Sequence, residues 1–153
     1  MKFGLSPCQE KVRWDDTVEQ CVKAEEWGYD SLWLQEHHSV EEGYYPSPWV
    51  ALAGIAPHTK TVMLGTSVLI APFHHPFHIA EDATMLDVIS NGRCILGLGV
   101  GYRAAEFDLF NVPVKERGAR TEEGTRIIRA LWAEDTVNFQ GKHYQVNDAR
   151  LLP

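Results

Sequence analysis

The sequence predicts an α/β protein built on a parallel sheet, and three observations indicate this fold class. Segments with the period of a strand alternate with segments with the period of a helix along the 153 residues. Glycine, proline and Asn-Gly separate these segments, and no low-complexity tract interrupts the alternation. The two faces of each predicted strand also differ in character. Strands that alternate with helices in this way imply β-α units and a parallel sheet.

Each predicted strand is a short apolar run, and each predicted helix is bounded by a capping residue or by Gly or Pro. Asp15 or Asp16 is predicted to cap the first helix, and Ser47 the second, with Pro48 in its first turn. Residues 62–70 are rich in β-branched side chains, which favours a strand. The predicted elements are, in order, strand 2–6, helix 15–27, strand 31–35, helix 47–56, strand 62–70, helix 77–89, strand 94–98, helix 104–109, helix 116–132 and a β-hairpin at about 136–146.

The faces of the strands favour a barrel over an open sheet. One face is bulky and apolar and comprises Phe3, Leu5, Leu32, Leu34, Leu64, Val68, Leu96 and Leu98. The opposite face is small or polar and comprises Gly4, Ser6, Trp33, Gln35, His37, Gly65, Ser67, Gly97, Gly99 and Gly101. An open sheet covered by helices requires two apolar faces, whereas a barrel has a distinct lumen and an active site at the carboxyl ends of its strands. We therefore expect a (β/α)8 TIM-barrel type, of which about the first four β-α units are present, in a single domain over residues 1–153. Small lumen side chains would leave room for a flat ligand.

Composition excludes several classes of function. The net charge of −7 argues against a nucleic-acid partner, and weakly against an anionic membrane surface. No segment approaches the roughly 20 apolar residues that span a bilayer. Cys8, Cys21 and Cys94 are far apart and form no CxxC pair, which predicts reduced thiols and a cytoplasmic location.

Glu36-His37-His38 follows the second strand directly and is the main candidate for a catalytic site. His37 has the lumen parity at a strand end, where an imidazole can act as a base near neutral pH. Glu36 and His38 are candidates for orienting His37 or for lining the pocket. The alternative is a pair of ordinary surface-loop histidines.

Two further motifs have competing interpretations. The spacing of Gly97-Leu98-Gly99-Val100-Gly101 is GxGxG rather than the GxGxxG of a dinucleotide site, so room for a ligand ring or plain packing is favoured. Histidines at 37, 38, 74, 75 and 78 could supply metal ligands, but no HxH, HExxH or CxxC spacing is present, and no metal is predicted.

Together these motifs resemble the bacterial luciferase-like flavin monooxygenase family, over essentially the whole chain. The segments that support the resemblance are Met1–Gly4, Ala24–Leu34, Glu36–His38, Leu64–Ser67, His75-Pro76, Ala80–Asp82, Leu86-Asp87, Ser90–Arg93, Leu98–Gly101 and Glu106-Phe107. Their order and spacing are specific as a set, although each segment alone is weak.

The resemblance implies a (β/α)8 barrel that uses reduced FMN or coenzyme F420, with His37 as the catalytic base. It implies that the cofactor lies near Glu36, His38, Thr66, Ser67, Val68, Gly99, Val100 and Gly101. Gly99 stands where luciferase has a cysteine near the flavin, so that cysteine has no counterpart here. Val100 stands where luciferase has an arginine that contacts the phosphate, so phosphate binding through this position is not expected.

The function implied is a monooxygenase that uses reduced FMN and O2 on a small organic substrate, with a separate flavin reductase as partner. An F420-dependent hydride-transfer oxidoreductase is the alternative. A truncated, non-catalytic half barrel is the alternative of another class. Because four β-α units would leave unpaired strand edges, we expect either a fragment of a longer chain or a homodimer.

Overall fold

The computed structural model describes residues 1–153. The strands are Gly4–Leu5 (β1), Ser31–Leu34 (β2), Met63–Thr66 (β3), Leu69–Ile70 (β4), Cys94–Ile95 (β5), Leu98–Gly99 (β6), Val137–Gln140 (β7) and Gln145–Ala149 (β8). The α-helices are Trp14–Glu26 (α1), Pro48–Ile55 (α2), Pro76–Ser90 (α3), Ala104–Leu109 (α4) and Arg117–Ala133 (α5). The chain divides into two compact units, of which the first comprises Met1–Leu69 and Ala83–Gly97 and the second Ile70–Asp82 and Leu98–Pro153. The single domain over residues 1–153 stays a prediction.

The first unit contains a four-stranded sheet in the order β1-β2-β3-β5, and every pair in it is parallel. The register places Leu34 beside Thr66 and Trp33 beside Gly65. Leu32, Leu34 and Leu64 on the apolar face are fully buried, which confirms that this face packs in the core. The prediction of an α/β protein with a parallel sheet is therefore confirmed, while the extent of a (β/α)8 barrel stays a prediction. Phe3, assigned to the same apolar face, is 58% exposed next to the edge strand β1.

The capping predictions for the first two helices are only partly confirmed. Arg13, rather than Asp15 or Asp16, occupies the N-cap position of α1. Both aspartates lie in the first turn, where the positive end of the helix dipole still favours them. Ser47 occupies the N-cap position of α2 with Pro48 following, as predicted, but its side chain forms no capping hydrogen bond.

Two predicted strands are each divided in the structure. The run 62–70 forms β3 and β4, with the cis peptide Ser67–Val68 between them, and the run 94–98 forms β5 and β6. At the division, the Thr66 hydroxyl donates to the Gly97 carbonyl at 2.8 Å and accepts from the Gly97 N–H at 3.0 Å. A Cβ at position 97 would collide with the Thr66 carbonyl oxygen. Gly97 is therefore required for this close approach of two backbones, because only glycine has no side chain at that point.

The lumen face of the first unit is not hollow where glycine was expected to clear it. A Cβ at Gly65 would lie 2.5 Å from the six-membered ring of Trp33, and a Cβ at Gly4 would collide with the Trp33 indole nitrogen. The indole N–H donates to Ser31 Oγ at 2.8 Å, which fixes the plane of the ring. The room provided by Gly4 and Gly65 is therefore occupied by Trp33. The expectation that these two glycines make space for a ligand ring is wrong.

Two charged side chains close the amino ends of the strands in the first unit. The buried Arg93 guanidinium donates to the carbonyls of Ala56, Thr59, Val62 and Ser90 and to the Thr59 hydroxyl, at 2.7–3.1 Å. The Glu25 carboxylate accepts from the backbone N–H groups of residues 60–62 at 2.6–3.0 Å. The loop that enters β3 is thus tied to helix α1 on one side and to the start of β5 on the other.

In the second unit, helix α5 is hydrogen-bonded to the hairpin formed by β7 and β8. The hairpin is antiparallel and confirms the pairing predicted at about 136–146, although β8 continues to Ala149. The Glu123 carboxylate on α5 accepts from the backbone N–H groups of Lys142, His143 and Tyr144, so a single side chain holds the turn. None of the helices is long and apolar enough to cross a lipid bilayer.

Candidate active site

The candidate site of the first unit lies at the carboxyl ends of β2 and β3. The backbone N–H of Ser67 donates to the carbonyl of Leu34 at 2.7 Å, so the two strands leave the sheet side by side. Glu36-His37-His38 therefore follows β2 next to the point where Ser67-Val68 follows β3. This edge of a parallel α/β sheet is where catalytic and ligand-binding residues ordinarily lie.

Glu36 and His38 form a close pair within this segment. The Nε2 atom of His38 lies 2.8 Å from Oε1 of Glu36, whose side chain is completely buried, while the His38 side chain is 15% exposed. Burial of a carboxylate is costly unless it is paired, and His38 is one partner that meets this requirement. Glu36 thus continues the alternating burial of Leu32 and Leu34, whereas the neighbouring His37 is half-buried.

His37 is half-buried and packs against an aromatic side chain of the same loop. Its imidazole meets the ring of Tyr44 edge to face, with 5.0 Å between centroids and 71° between planes. The Tyr44 hydroxyl donates to the Glu10 carboxylate at 2.5 Å. The hydrogen bond that Tyr44 donates to the Glu10 carboxylate raises the pKa of this phenol, and burial raises it further. His37 is therefore not a free loop histidine in bulk solvent.

The loops after β1 and β2 are joined by a reciprocal amide pair. Gln9 donates through Nε2 to the Gln35 carbonyl at 3.1 Å and accepts from the Gln35 backbone N–H at 2.9 Å. The Gln35 side chain donates to the Ser6 hydroxyl at 2.7 Å. The polar residues that the sequence assigned to the lumen, Ser6 and Gln35, thus contact each other and fix the base of the candidate site.

The three residues assigned to the end of β3 have different environments. Thr66 is fully buried, and its hydroxyl is bonded to Gly97. Ser67 and Val68 are exposed, Val68 by 39%. Ser67 and Val68 thus leave one polar and one apolar side chain exposed at the carboxyl edge of the sheet.

Gly99, Val100 and Gly101 lie in the second unit. Val100 is 44% exposed and has no side-chain donor for a phosphate. Gly101 has a φ of +74°, and a Cβ there would lie 2.9 Å from both Ile70 and Phe107. Backbone conformation and packing therefore explain Gly101, and it needs no ligand to account for it.

The histidines of the second unit are used in other ways. His78 pairs with Glu81 at 3.2 Å, and the His75 ring packs edge-on against Tyr144. Burial, together with the charge of His78, lowers the pKa of His75. Across residues 1–153, no group of three or more His, Cys, Asp or Glu side chains is placed to hold a metal ion.

Comparison with known proteins identifies the family. The family model described as luciferase-like monooxygenase matches residues 2–153. The chain belongs to this family. An F420-dependent glucose-6-phosphate dehydrogenase of Amycolatopsis mediterranei is 37% identical over 99% of the chain and 47% of its own length. The oxygenase component of a flavin-dependent trigonelline monooxygenase from Acinetobacter baylyi is 34% identical over 88% of the chain and 40% of its own length.

A solved structure extends the likeness to three dimensions. The monooxygenase RslO1 from Streptomyces bottropensis superimposes with a TM-score of 0.90 at 34% identity, over 100% of this chain and 49% of its own. The chain therefore spans about half the length of the relatives that it matches. The resemblance on which the sequence analysis relied is confirmed.

Sequence reasoning missed Glu10, which is far from His37 along the chain. The only available signal was the position of Glu10 in the loop after β1, which neighbours β2 in a parallel sheet. That position predicts proximity to the β2 loop but not the bond to Tyr44, because side-chain partners within loops depend on loop conformation.

Proposed function

We propose that this luciferase-like chain carries the catalytic part of a flavin-dependent oxidoreductase site, most specifically of a monooxygenase that uses reduced FMN and O2 on a small organic substrate. One observation supports the proposal: the half-buried His37 follows β2 at the carboxyl edge of the parallel sheet, where the Ser67 N–H donates to the Leu34 carbonyl. Family membership supports the same assignment. His37 is the proposed catalytic residue, with Glu36, His38, Thr66, Ser67 and Val68 of the first unit as proposed cofactor-binding residues. Gly99, Val100 and Gly101 of the second unit are proposed as cofactor-binding residues on the family resemblance alone.

The residues present fit the ring of the cofactor better than its phosphate. An exposed valine and an exposed strand end can cover one face of an isoalloxazine or deazaflavin ring, and an imidazole beside them can exchange a proton with it. Reduced flavin supplies the reaction with O2 when it is bound. The chain's own part is to orient the ring, to exclude water from one face and to hold or deliver a proton at a His37 ring nitrogen.

Coenzyme F420 is the second candidate cofactor. The relative with 37% identity is an F420-dependent dehydrogenase, and its match covers 99% of this chain. In such an enzyme His37 would give or take the proton that accompanies hydride transfer to a small carbonyl, alcohol or imine. The same exposed strand end would support the deazaflavin ring.

The proposed partners follow from the same relatives. The trigonelline enzyme is described as an oxygenase component, which supports a separate reductase as the source of reduced flavin for an FMN-dependent protein. A homodimer is proposed because β1 and β5 are the edge strands of the four-stranded sheet, and a second copy could cover such edges. A cytoplasmic location is proposed on the three free thiols, Cys8, Cys21 and Cys94.

Cofactor binding is the direct test. We expect FMN or F420 fluorescence to be quenched saturably by the full chain. Val68→Asp places a charge on the proposed ring surface and should weaken binding by about tenfold or more. Val50→Asp is the matched control, because Val50 is 73% exposed on α2, outside the site. Equal binding by both variants, or quenching by neither cofactor, would contradict the proposal and favour the non-catalytic half barrel.

The role of His37 is tested separately from binding. With the cofactor that binds, His37→Ala should lower turnover by about 10²–10⁴-fold and leave cofactor affinity largely unchanged. His58→Ala is the matched control, since His58 is exposed and precedes β3 at the amino end of the sheet. Unchanged turnover in His37→Ala would remove the role assigned to this imidazole.

A further inference from the structure

We propose that Tyr44 and Glu10 act as a positioning pair for His37, with Glu10 fixing the Tyr44 ring and the ring fixing the imidazole. The inference rests on the proposed function in one respect only, namely that His37 is the residue whose orientation matters. Neither Tyr44 nor Glu10 is placed in contact with the cofactor.

The first step is the contact between the two rings. An edge-to-face pair has a preferred geometry because the positive edge of one ring meets the negative face of the other. The Tyr44 and His37 rings have this geometry, with centroids 5.0 Å apart and planes at 71°. Rotation of the His37 side chain therefore breaks a favourable contact, and Tyr44 reduces the number of orientations that the imidazole samples.

The second step is the anchor of Tyr44. Its hydroxyl donates to Oε1 of Glu10 at 2.5 Å, a short bond of the charge-assisted kind. Glu10 lies in the loop after β1, whereas Tyr44 lies in the loop after β2. The contact therefore crosses between two loops that the Gln9–Gln35 amide pair also joins.

The neighbouring tyrosine provides an internal contrast. Tyr45 is also half-buried, and its hydroxyl lies 2.7 Å from the Thr17 hydroxyl on α1. The Tyr45 ring packs near Trp14, with centroids 5.9 Å apart. Two adjacent tyrosines thus each have one hydroxyl partner, but only Tyr44 is in ring contact with His37 among the contacts described for this turn.

The test uses four variants of the full chain. Tyr44→Leu removes the ring, Tyr44→Phe keeps the ring and removes its anchor, and Glu10→Ala removes the anchor from the other side. Tyr45→Phe is the matched control, because it deletes one hydroxyl hydrogen bond from the same turn. The first readout is the NMR signal of the His37 ring C–H groups in the protein without cofactor, assigned by its disappearance in His37→Ala.

We expect Tyr44→Leu to broaden the His37 signal because the imidazole then samples more orientations; its shift alone follows from the lost ring current. Tyr44→Phe and Glu10→Ala keep the ring and should still shift the signal, whereas Tyr45→Phe should not. Where turnover is measurable, kcat should fall by about 10²-fold in Tyr44→Leu and about tenfold in the two anchor variants, with KM nearly unchanged. The double variant Glu10→Ala/Tyr44→Phe should match the single variants rather than multiply their losses, because both remove the same bond.

The inference is overturned if the His37 signal is unchanged in Tyr44→Leu, or if Tyr45→Phe shifts it as much as Tyr44→Phe. A lower melting temperature with an unchanged His37 signal would show a purely structural role and would also overturn it. The NMR readout needs no cofactor, so an absence of flavin binding would contradict the proposed function without deciding this inference.

Discussion

The two ends of the parallel sheet in the first unit both bury charged side chains, but the partners of those charges differ. At the amino end, Arg93 donates to four backbone carbonyls and one hydroxyl, and Glu25 accepts from backbone N–H groups. At the carboxyl end, the buried Glu36 is paired with the side chain of His38. The charges at the amino end therefore have backbone partners, whereas the charge at the carboxyl end has a side-chain partner.

The difference indicates that the two ends of the same strands have different roles, namely stability at the amino end and the candidate site at the carboxyl end. The charges that bond to backbone groups at the amino end stabilise the fold. At the carboxyl end, the Glu36–His38 pair instead flanks His37, the proposed catalytic residue. This arrangement agrees with the general rule that the amino face of a β/α barrel supports stability and the carboxyl face supports chemistry. If so, substitutions at the amino end should change stability without changing cofactor binding.

The largest effect is expected at the amino end. Arg93→Met keeps the volume of the side chain but leaves several buried carbonyls without donors, so we expect the free energy of unfolding to fall by about 3–5 kcal/mol. Urea denaturation measures this change. Arg126→Met is the matched control: Arg126 is exposed and pairs with Glu122 within one helix, so its loss should cost less than about 1 kcal/mol. If Arg93→Met weakens cofactor binding in the folded protein while stability is retained, the proposed separation of the two ends is wrong.

A smaller loss of stability is expected from a substitution in the middle of the sheet, between its amino and carboxyl ends. Gly65→Ala places a methyl group against the Trp33 indole, so it should destabilise the fold by about 1–3 kcal/mol. Trp33→Leu in the same chain should restore part of this loss by vacating the space. Gly118→Ala, on α5 with open space around it, is the control and should stabilise by up to about 1 kcal/mol. An equal response of the two glycines in thermal unfolding would show that Trp33 does not fill the lumen as described.

The smallest expected effect on stability depends on pH and concerns Glu25, at the amino end of the sheet. Burial raises the pKa of Glu25, but the hydrogen bonds from residues 60–62 outweigh it and lower the pKa to about 2. The stability that this carboxylate contributes is therefore complete above its ordinary pKa of 4.5 and is lost as the pH falls towards 2. Glu25→Gln should reduce the unfolding free energy by about 1–2 kcal/mol at pH 7. The difference from the unmodified protein should shrink between pH 4.5 and 2, as urea titrations at several pH values would show.

The exposed neighbour Glu26 is the control for this measurement. It pairs with Lys23 on the surface, with about half of each side chain exposed. Glu26→Gln should change stability by less than about 1 kcal/mol. A pH-dependent loss as large in Glu26→Gln as in Glu25→Gln would mean that surface charge in general, rather than the bonds to residues 60–62, causes the effect.

Much of the fold could be predicted from sequence because its signals are local. Helix α4 begins and ends at the predicted residues 104 and 109, and the hairpin was found from its alternating pattern around Gln140-Gly141. The division of the run 62–70 could not be predicted, because hydrophobic and β-branched character continues through Ser67-Val68. What divides the strand is the bonding between Thr66 and Gly97, and such long-range contacts leave no periodic signal.

The candidate site was predicted in outline for a similar reason. Parity and position put His37 at a strand end, but they could not show that Tyr44 packs on it or that Glu36 pairs with His38. Parity also put Gly4, Trp33 and Gly65 on one face without showing that the indole fills the room beside both glycines. That conclusion needs the register of three strands, which brings Trp33 next to Gly65. Arg93 was noted only as part of a family motif, and four of its five guanidinium bonds reach residues more than thirty positions away along the chain.

The packing of Trp33 against two glycines has an evolutionary consequence. Either glycine can acquire a side chain only after the tryptophan has become smaller, and a smaller residue at 33 would leave a void until a glycine enlarges. Positions 4, 33 and 65 should therefore covary among homologues, with the summed volume of the three side chains nearly constant. Homologues with a smaller residue at position 33 would show whether position 4 on β1 or position 65 on β3 has become larger. That choice would determine how the shapes of their binding cavities differ.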